Sequence, residues 1–172
     1  MNSDTGYMRI ALEEARMGAL EGEIPVGAAA VFEGHVIARA HNRVESLRDA
    51  SAHAEMTVLK AASSVLDRWR LTGVTLYVTI EPCPMCAMAL VLSRVDRVVF
   101  GAPEPRTGAA GSFIRILGNP ALNHRPDILG GVLSDEASAL LREFFRNKRT
   151  AGSASHASTD TNPSLTDPEN HV

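Results

Sequence analysis

The sequence predicts an α/β protein, a three-layer α/β/α sandwich with a five-stranded mixed sheet at its centre. Three observations lead to this prediction. Strand-like segments alternate with amphipathic segments of helical period along most of the chain. Glu33-Gly34 can form a turn between the first two strand-like segments, which predicts an antiparallel hairpin. Helical segments separate most of the later strands, which predicts parallel pairing there and therefore a mixed sheet.

The first elements follow from local patterns. A helix is expected over residues 7–20, where apolar residues recur at helical spacing. Residues 24–32 have the composition of a buried strand, and residues 36–41 alternate enough to return beside it. No internal repeat interrupts this order, and 172 residues with 45% hydrophobic side chains are expected to form one domain with a full core.

The later elements alternate in type. A helix follows His53, a strand covers residues 75–79, a second helix follows Pro82, and a strand covers residues 97–100. Residues 101–126 hold several Gly and Pro and are long for a structureless loop, so this stretch is either functional or partly helical. A strand near residues 128–133 and a helix from Ser134 to about Lys148 complete the domain, with Ser134 as the N-cap.

The end of the chain differs in composition from the rest. Residues 151–172 lack Lys and Arg and are rich in polar residues and Pro, which predicts a disordered acidic tail after a domain of residues 1–150. The tail's three acidic residues equal the whole net charge of −3, so the domain is neutral. Residues 142–149 carry +3 and two Phe. This pattern does not fit a nonspecific nucleic-acid binder, but it leaves open the binding of one folded RNA through a small footprint.

Composition also bears on the compartment. No run is long or apolar enough to span a bilayer, so no membrane partner is expected, and the polar start lacks the pattern of a signal peptide. The chain has two cysteines, both in one C-x-x-C, which fits a reducing compartment. A cytoplasmic protein is therefore expected.

Two short motifs carry the chemistry: His53-Ala54-Glu55, and Pro82-Cys83-Pro84-Met85-Cys86. One His and two Cys can hold a zinc ion and leave its fourth position open, as catalytic zinc sites require. Both sets of ligands lie where a helix begins, and free N–H groups and the helix dipole favour thiolates there. H-x-E followed by P-C-x-x-C is the signature of zinc deaminases.

The role expected of Glu55 follows from charge. Two thiolates cancel the charge of Zn²⁺, so water in this site is acidified less than in an all-histidine site and needs a base nearby. Glu55 is placed to take a proton from this water, and to pass it to a ring nitrogen and on to the departing ammonia.

Each of the two motifs, taken alone, has a plainer interpretation. H-x-E is often a solvated helix start, and C-x-x-C can be a redox pair or two buried thiols. Together, at this separation, they favour catalytic zinc.

Beyond these motifs, residues 7–149 resemble bacterial tRNA-specific adenosine deaminases of the TadA type, in the cytidine/deoxycytidylate deaminase superfamily. The resemblance lies in stretches beginning at Ile24, His41, His53, Thr75, Glu81, Ser93 and Arg97, and most specifically in Thr107-Gly108-Ala109-Ala110-Gly111-Ser112, Asn123-His124-Arg125 and Phe144-Phe145-Arg146. It implies a cytidine deaminase-like fold and hydrolysis of adenosine to inosine at the wobble position of a tRNA anticodon. It also implies a homodimer in which each subunit contributes to the partner's RNA surface.

The resemblance further implies roles for individual residues. Asn42 would hydrogen-bond the substrate nucleotide, Pro25 and Val26 would form a pocket wall, and Ala54 would lie near the flipped base. The anticodon stem-loop would contact Phe144, Phe145, Arg146 and Arg149.

Several of these roles have alternatives. Asn42 can instead cap a turn, and Phe144 and Phe145 can instead cover a dimer interface. These two Phe lie about 100° apart on a helix, so at least one should be the more exposed. Arg106 and Arg125 are phosphate contacts or simply solvated side chains.

Two positions depart from the family pattern. Pro84 stands inside the C-x-x-C and is harmless in the first turn of a helix. Pro103-Glu104-Pro105 is stiffer than the family's loop there, which leaves its RNA contacts open.

Two rival functions remain. One is zinc-dependent deamination of a free purine base or nucleoside, such as guanine, against which the later motifs count. The other is a non-catalytic RNA-binding subunit, which has no need of the unliganded carboxylate of Glu55.

Overall fold

The computed structural model describes residues 3–156, with side chains to residue 150. Ten elements follow one another along this part of the chain: α1 (Asp4–Leu20), β1 (Gly27–Phe32), β2 (His35–His41), α2 (Val44–Leu47), α3 (Ala54–Leu66), β3 (Val74–Ile80), α4 (Pro84–Leu92), β4 (Arg97–Ala102), β5 (Asp127–Leu129) and α5 (Ser134–His156). Within residues 3–156, no helix is long and apolar enough to span a membrane.

The five strands form one sheet in the order β2-β1-β3-β4-β5. Strand β1 pairs antiparallel with β2 and with β3, whereas β3–β4 and β4–β5 are parallel. The mixed sheet and its opening hairpin are therefore confirmed. At the hairpin turn Glu33 and Gly34 both have positive φ, 49° and 76°. That conformation matches the twist of the two strands, and the missing Cβ of Gly34 makes it accessible.

Helices cover both faces of the sheet, which confirms the three-layer sandwich. On one face α3 and α4 enclose the larger core with side chains such as Val58, Leu76 and Leu90. On the other face α1 and α5 pack over a smaller core that includes Leu12, Tyr77 and Val99. Because α3 follows β2 and α4 follows β3, both helices begin at the same end of the sheet, where ligand sites of α/β folds form.

The start of α1 is tied to the centre of the sheet. Ser3 caps the helix by accepting a hydrogen bond from the N–H of Gly6. The carboxylate of Asp4 accepts two hydrogen bonds from the Arg97 guanidinium, at 2.7 and 2.9 Å, and one from the Tyr77 hydroxyl at 2.8 Å. The side chains of strands β3 and β4 thereby fix the first turn of the helix that covers them.

Several predicted boundaries were wrong. The first strand begins at Gly27, and the last covers only Asp127–Leu129. Beyond it Gly131, with φ 89°, leaves the extended conformation, although the N–H groups of Gly131 and Val132 still donate to carbonyl oxygens at the end of β4. The one-turn helix α2 was not predicted, and residues 103–126 form turns and one isolated bridge rather than a helix. Helix α5 continues past Lys148 to His156, through residues that contain no Pro. The rest of the expected acidic tail, residues 157–172, lies outside the described residues.

Candidate active site

Three potential metal ligands converge at the end of the sheet where α3 and α4 begin. Nδ1 of His53 lies 3.6 Å from Sγ of Cys83 and 3.5 Å from Sγ of Cys86, and the three ligand atoms all lie within 4.8 Å of one another. Tetrahedral zinc with bonds of about 2.0–2.3 Å separates its ligands by about 3.5 Å. The donor set and its spacing therefore fit a zinc ion.

Local structure explains how these ligands meet. His53 and Cys83 are the N-cap residues of α3 and α4, both are extended, and neither side chain forms a capping hydrogen bond. Their side chains are thus directed away from their own helices. Pro84 occupies the first turn of α4, where its missing N–H costs nothing, and Cys86 is fully buried in the same turn.

The pKa values of the two thiols differ even without a bound metal ion. A hydrogen bond from Cys86, together with His53, outweighs burial and lowers the pKa of Cys83 to about 4. The same hydrogen bond and burial raise the pKa of Cys86. The pKa of His53 is raised, mainly by its contact with Cys83. The site thus stabilises one thiolate by itself, and a divalent cation supplies the charge that a second one requires.

Glu55 lies beside this cluster and is buried, with 2% of its surface exposed. Among the described residues, the one buried side-chain polar atom without a hydrogen-bond partner is its Oε2. Burial raises the pKa of Glu55. Leaving such an atom unpaired costs free energy, so the site is built to receive a polar group here, as a zinc centre with an open position does.

A cavity of about 220 Å³ opens onto the cluster. Its wall is formed by Ile24, Val26, Asn42, Val44, Glu45, His53, Glu55, Ile80, Glu81, Cys83, Glu104 and Thr107. The structure thus brings Val26 and Asn42 to the same cavity as His53, Glu55 and Cys83. Pro25 and Ala54 are buried nearby but do not line it.

Glu81, a buried carboxylate directly before Pro82, was not predicted from the sequence as a site residue. It accepts hydrogen bonds from the backbone N–H groups of Glu104 at 3.0 Å, Ala110 at 2.8 Å and Ser112 at 3.1 Å. Burial raises the pKa of Glu81, but hydrogen bonds from Ser112, Glu104 and Ala110 outweigh it, and the net pKa is lowered. Glu81 therefore holds the loop of residues 104–112 against the cavity. The position of a charged residue at the end of a buried strand could have indicated this role from the sequence.

Glu23 was missed as well. It is fully buried just before the pocket-wall residues Ile24 and Val26, and its carboxylate accepts a hydrogen bond from the Asn42 side chain at 3.1 Å. There was little indication of this hydrogen bond in the sequence, because Asn42 is distant from Glu23 along the chain.

A second groove, of about 760 Å³, adjoins the cavity and shares Ile24, Val26, Ile80 and Glu104 with it. Its other walls are Arg106, Leu141, Arg142, Phe145, Arg146 and Arg149. We call it the arginine groove. Phe145 is 41% exposed here. Phe144 is half-buried, meets Phe145 edge-on, and lines a different groove between α5 and the end of α1.

Comparison with known proteins identifies relatives of this chain. Residues 1–102 match the cytidine and deoxycytidylate deaminase zinc-binding region. The tRNA-specific adenosine deaminase of Bacillus subtilis strain 168 is 48% identical over 149 residues, 87% of this chain and 92% of that protein. A structure from a study of A-to-I editing by tRNA:A34 deaminases at the wobble position of transfer RNA has a TM-score of 0.77 and 42% identity, covering 80% of this chain and 99% of the other. Guanine deaminase from Nitrosomonas europaea has a TM-score of 0.73 and 29% identity, covering 83% and 84%.

Proposed function

The chain belongs to the cytidine and deoxycytidylate deaminase zinc-binding family, and from this we propose that it converts adenosine to inosine at the wobble position of a tRNA anticodon. Its fold is that of the deaminases on which it superposes. Its similarity, at 48% identity, to a protein named tRNA-specific adenosine deaminase supports the substrate.

His53, Cys83 and Cys86 would hold the zinc ion. When bound, zinc supplies a Lewis acid that makes a water molecule acidic enough to attack a ring carbon. Glu55 is the proton carrier: its buried carboxylate takes one proton from the attacking water and delivers it to the ring nitrogen, and it then takes the remaining proton of that oxygen and delivers it to the amine, which leaves as ammonia. Its raised pKa suits this exchange, because the carboxyl group must both accept and release protons.

Asn42 and Val26 form the part of the cavity wall that would face the target nucleotide. Asn42 hydrogen-bonds that nucleotide in our account, and Val26 contacts it through apolar surface. Pro25 and Ala54 would support the cavity wall without lining it, since both are buried next to residues that line the cavity. A wobble adenosine must leave the anticodon stack to enter such a closed site.

The observation that carries the tRNA assignment is the arginine groove, which continues from the zinc cavity across four shared residues. A flipped nucleotide keeps its flanking phosphates and bases outside the cavity, and those groups need cations and stacking surfaces. Arg146, Arg149 and the exposed ring of Phe145 supply them. Phe144 supports this surface through its edge-on contact with Phe145.

Deamination of a free purine such as guanine is the second candidate, favoured by the similarity to the Nitrosomonas europaea enzyme. The zinc cluster and Glu55 serve both reactions equally. The arginine groove distinguishes them, because a free base has no phosphate to place there.

The enzyme is further proposed to act as a homodimer in the cytoplasm. Apolar side chains remain exposed on one side of α4, at Met85 and Leu92, and in the segment between β4 and β5, at Phe113 and Ile114. A second copy would cover them beside the active site. Reduced thiols at Cys83 and Cys86 and access to tRNA both suit the cytoplasm.

One experiment tests the proposed reaction. Purified protein is incubated separately with tRNA, free adenosine and guanine, and inosine, xanthine and ammonia are measured. Inosine in tRNA, with little product from the free compounds, is expected. Xanthine from guanine without inosine in tRNA would establish the second candidate instead.

A further inference from the structure

The fully buried carboxylate of Glu23 reaches two parts of the cavity wall at once. Its Oε1 accepts a hydrogen bond from the N–H of Ser46 at 2.8 Å. Its Oε2 accepts one from the N–H of Glu45 at 3.2 Å and one from Nδ2 of Asn42 at 3.1 Å. Both oxygens therefore face donors, and this is the arrangement of an ionised carboxylate.

These contacts decide which way the Asn42 amide points. A carboxylate that faces donors with both oxygens only accepts, so the NH₂ group of Asn42 must lie on the side of Glu23. The carbonyl oxygen Oδ1 then lies on the other side. Among the described residues no group donates a hydrogen bond to Oδ1, and Asn42 retains 5% exposure at the cavity wall beside Glu55 and Cys83.

Glu23 also holds the short helix α2. The N-cap residue of this helix, Arg43, forms no side-chain capping bond. Glu23 takes its place from a distant part of the chain, because it accepts from two N–H groups in the first turn. Val44 and Glu45, which line the cavity, are thereby fixed in place together with Asn42.

We propose that Glu23 is a positioning residue that fixes Asn42 as a hydrogen-bond acceptor, so that the cavity selects a nucleotide offering a hydroxyl or N–H donor at this point. The inference rests on the proposed function, in which Asn42 faces the target nucleotide. It adds that the specificity of this contact is set by Glu23, which does not line the cavity itself.

The test exchanges donor and acceptor between the two side chains. In Glu23→Gln, the oxygen of Gln stays on Ser46 and its NH₂ group faces Asn42, whose amide then turns its own NH₂ group toward the substrate. In Asn42→Asp, two carboxylates face each other. In the double variant the Gln NH₂ donates to Asp, which again presents an oxygen to the cavity. Each single variant should lose about tenfold or more in kcat/KM, and the double variant should recover to within a few-fold of wild type.

A merely structural role of Glu23 would not produce this recovery. The N–H of Glu45 loses its acceptor in Glu23→Gln and in the double variant alike, so comparison of these two isolates the Asn42 contact. The loss in Glu23→Gln should appear mainly in KM, because the hydrogen bond forms in the bound substrate as well as in the transition state. Glu13→Gln, which removes an exposed carboxylate on α1, is the matched control.

The substrate arm uses anticodon stem-loops with adenosine or 2′-deoxyadenosine at the reactive position. If the 2′-hydroxyl is the donor, wild type and Glu23→Gln become equal on the deoxy substrate; if the base is the donor, their difference persists. A double variant no more active than Glu23→Gln, or a Glu23→Gln variant equal to wild type on adenosine, would overturn the inference. Failure of the proposed function is a separate result, seen as wild type that deaminates only a free purine.

Discussion

Gly108 and Glu81 are packed so closely that a Cβ atom at position 108 would lie 2.5 Å from both Cδ and Oε2 of the Glu81 carboxyl group. The same Cβ would lie 2.5 Å from the carbonyl oxygen of Glu104. Real side chains never approach this closely, so the loop of residues 104–112 can wrap around the carboxylate only because position 108 lacks a side chain.

Gly108→Ala should therefore displace the loop from Glu81. We expect a cost of about 1–3 kcal/mol in unfolding free energy, typical of overpacking, together with a loss of tRNA deamination, because Glu104 and Thr107 line the cavity. Zinc content should stay at the wild-type level. Thermal unfolding, metal analysis and inosine formation measure the three quantities. Gly22→Ala is the control. Its positive φ makes Ala strained, but an added Cβ would have no atom within 4 Å outside the neighbouring residues, so stability should fall without loss of activity.

The ion pair of Asp4 and Arg97 should make the free energy of unfolding depend on pH. The hydrogen bond from Arg97 holds the pKa of Asp4 below its ordinary value despite burial. A lowered folded-state pKa gives stability that is present above the unfolded-state pKa and is lost as pH falls through the folded-state pKa. With both side chains about one-third exposed, Asp4→Asn should cost about 1 kcal/mol at pH 7. Urea unfolding should show that the difference in unfolding free energy between wild type and Asp4→Asn shrinks as the pH falls below the ordinary pKa of an Asp carboxyl group. A difference that grows would contradict this assignment.

If RNA binds in the arginine groove, two substitutions there should weaken tRNA binding in different ways. Phe145→Ala should weaken tRNA binding by about 1–3 kcal/mol if a base stacks on the ring. Arg149→Ala should weaken binding at low salt and reduce the slope of log K against log salt concentration by about 1, as loss of one phosphate contact does. Filter binding across a salt series measures both. Truncation after His156 is the control, because it leaves helix α5 whole and removes only residues 157–172, which contain no Lys or Arg. Loss of tRNA binding on truncation, with both substitutions silent, would place the RNA surface elsewhere.

The sequence indicated the fold class and the zinc cluster because both depend on short-range patterns. Alternating strand and helix segments give the layers, and His53, Cys83 and Cys86 belong to motifs that are recognisable from their spacing. The two buried carboxylates that hold the cavity wall, Glu23 and Glu81, were not predictable in this way. Glu23 reaches Asn42 across 19 residues and Glu81 reaches Ser112 across 31. A buried carboxylate reveals its partners only when the chain is folded, as with the two N–H groups in the first turn of helix α2 that donate to Glu23.

In the proposed zinc-dependent deamination Glu55 carries the protons, and one comparison tests this role most directly. Inosine formation in tRNA is measured for wild type and Glu55→Ala at equal protein concentration, with zinc content determined for both. Both proteins should bind about one zinc ion per chain, because Glu55 is not a ligand. The rate for Glu55→Ala should be lower by about 10²–10⁴-fold. A variant that retains more than about a tenth of the wild-type rate with full zinc would contradict this account, since proton-transfer groups contribute far more than that.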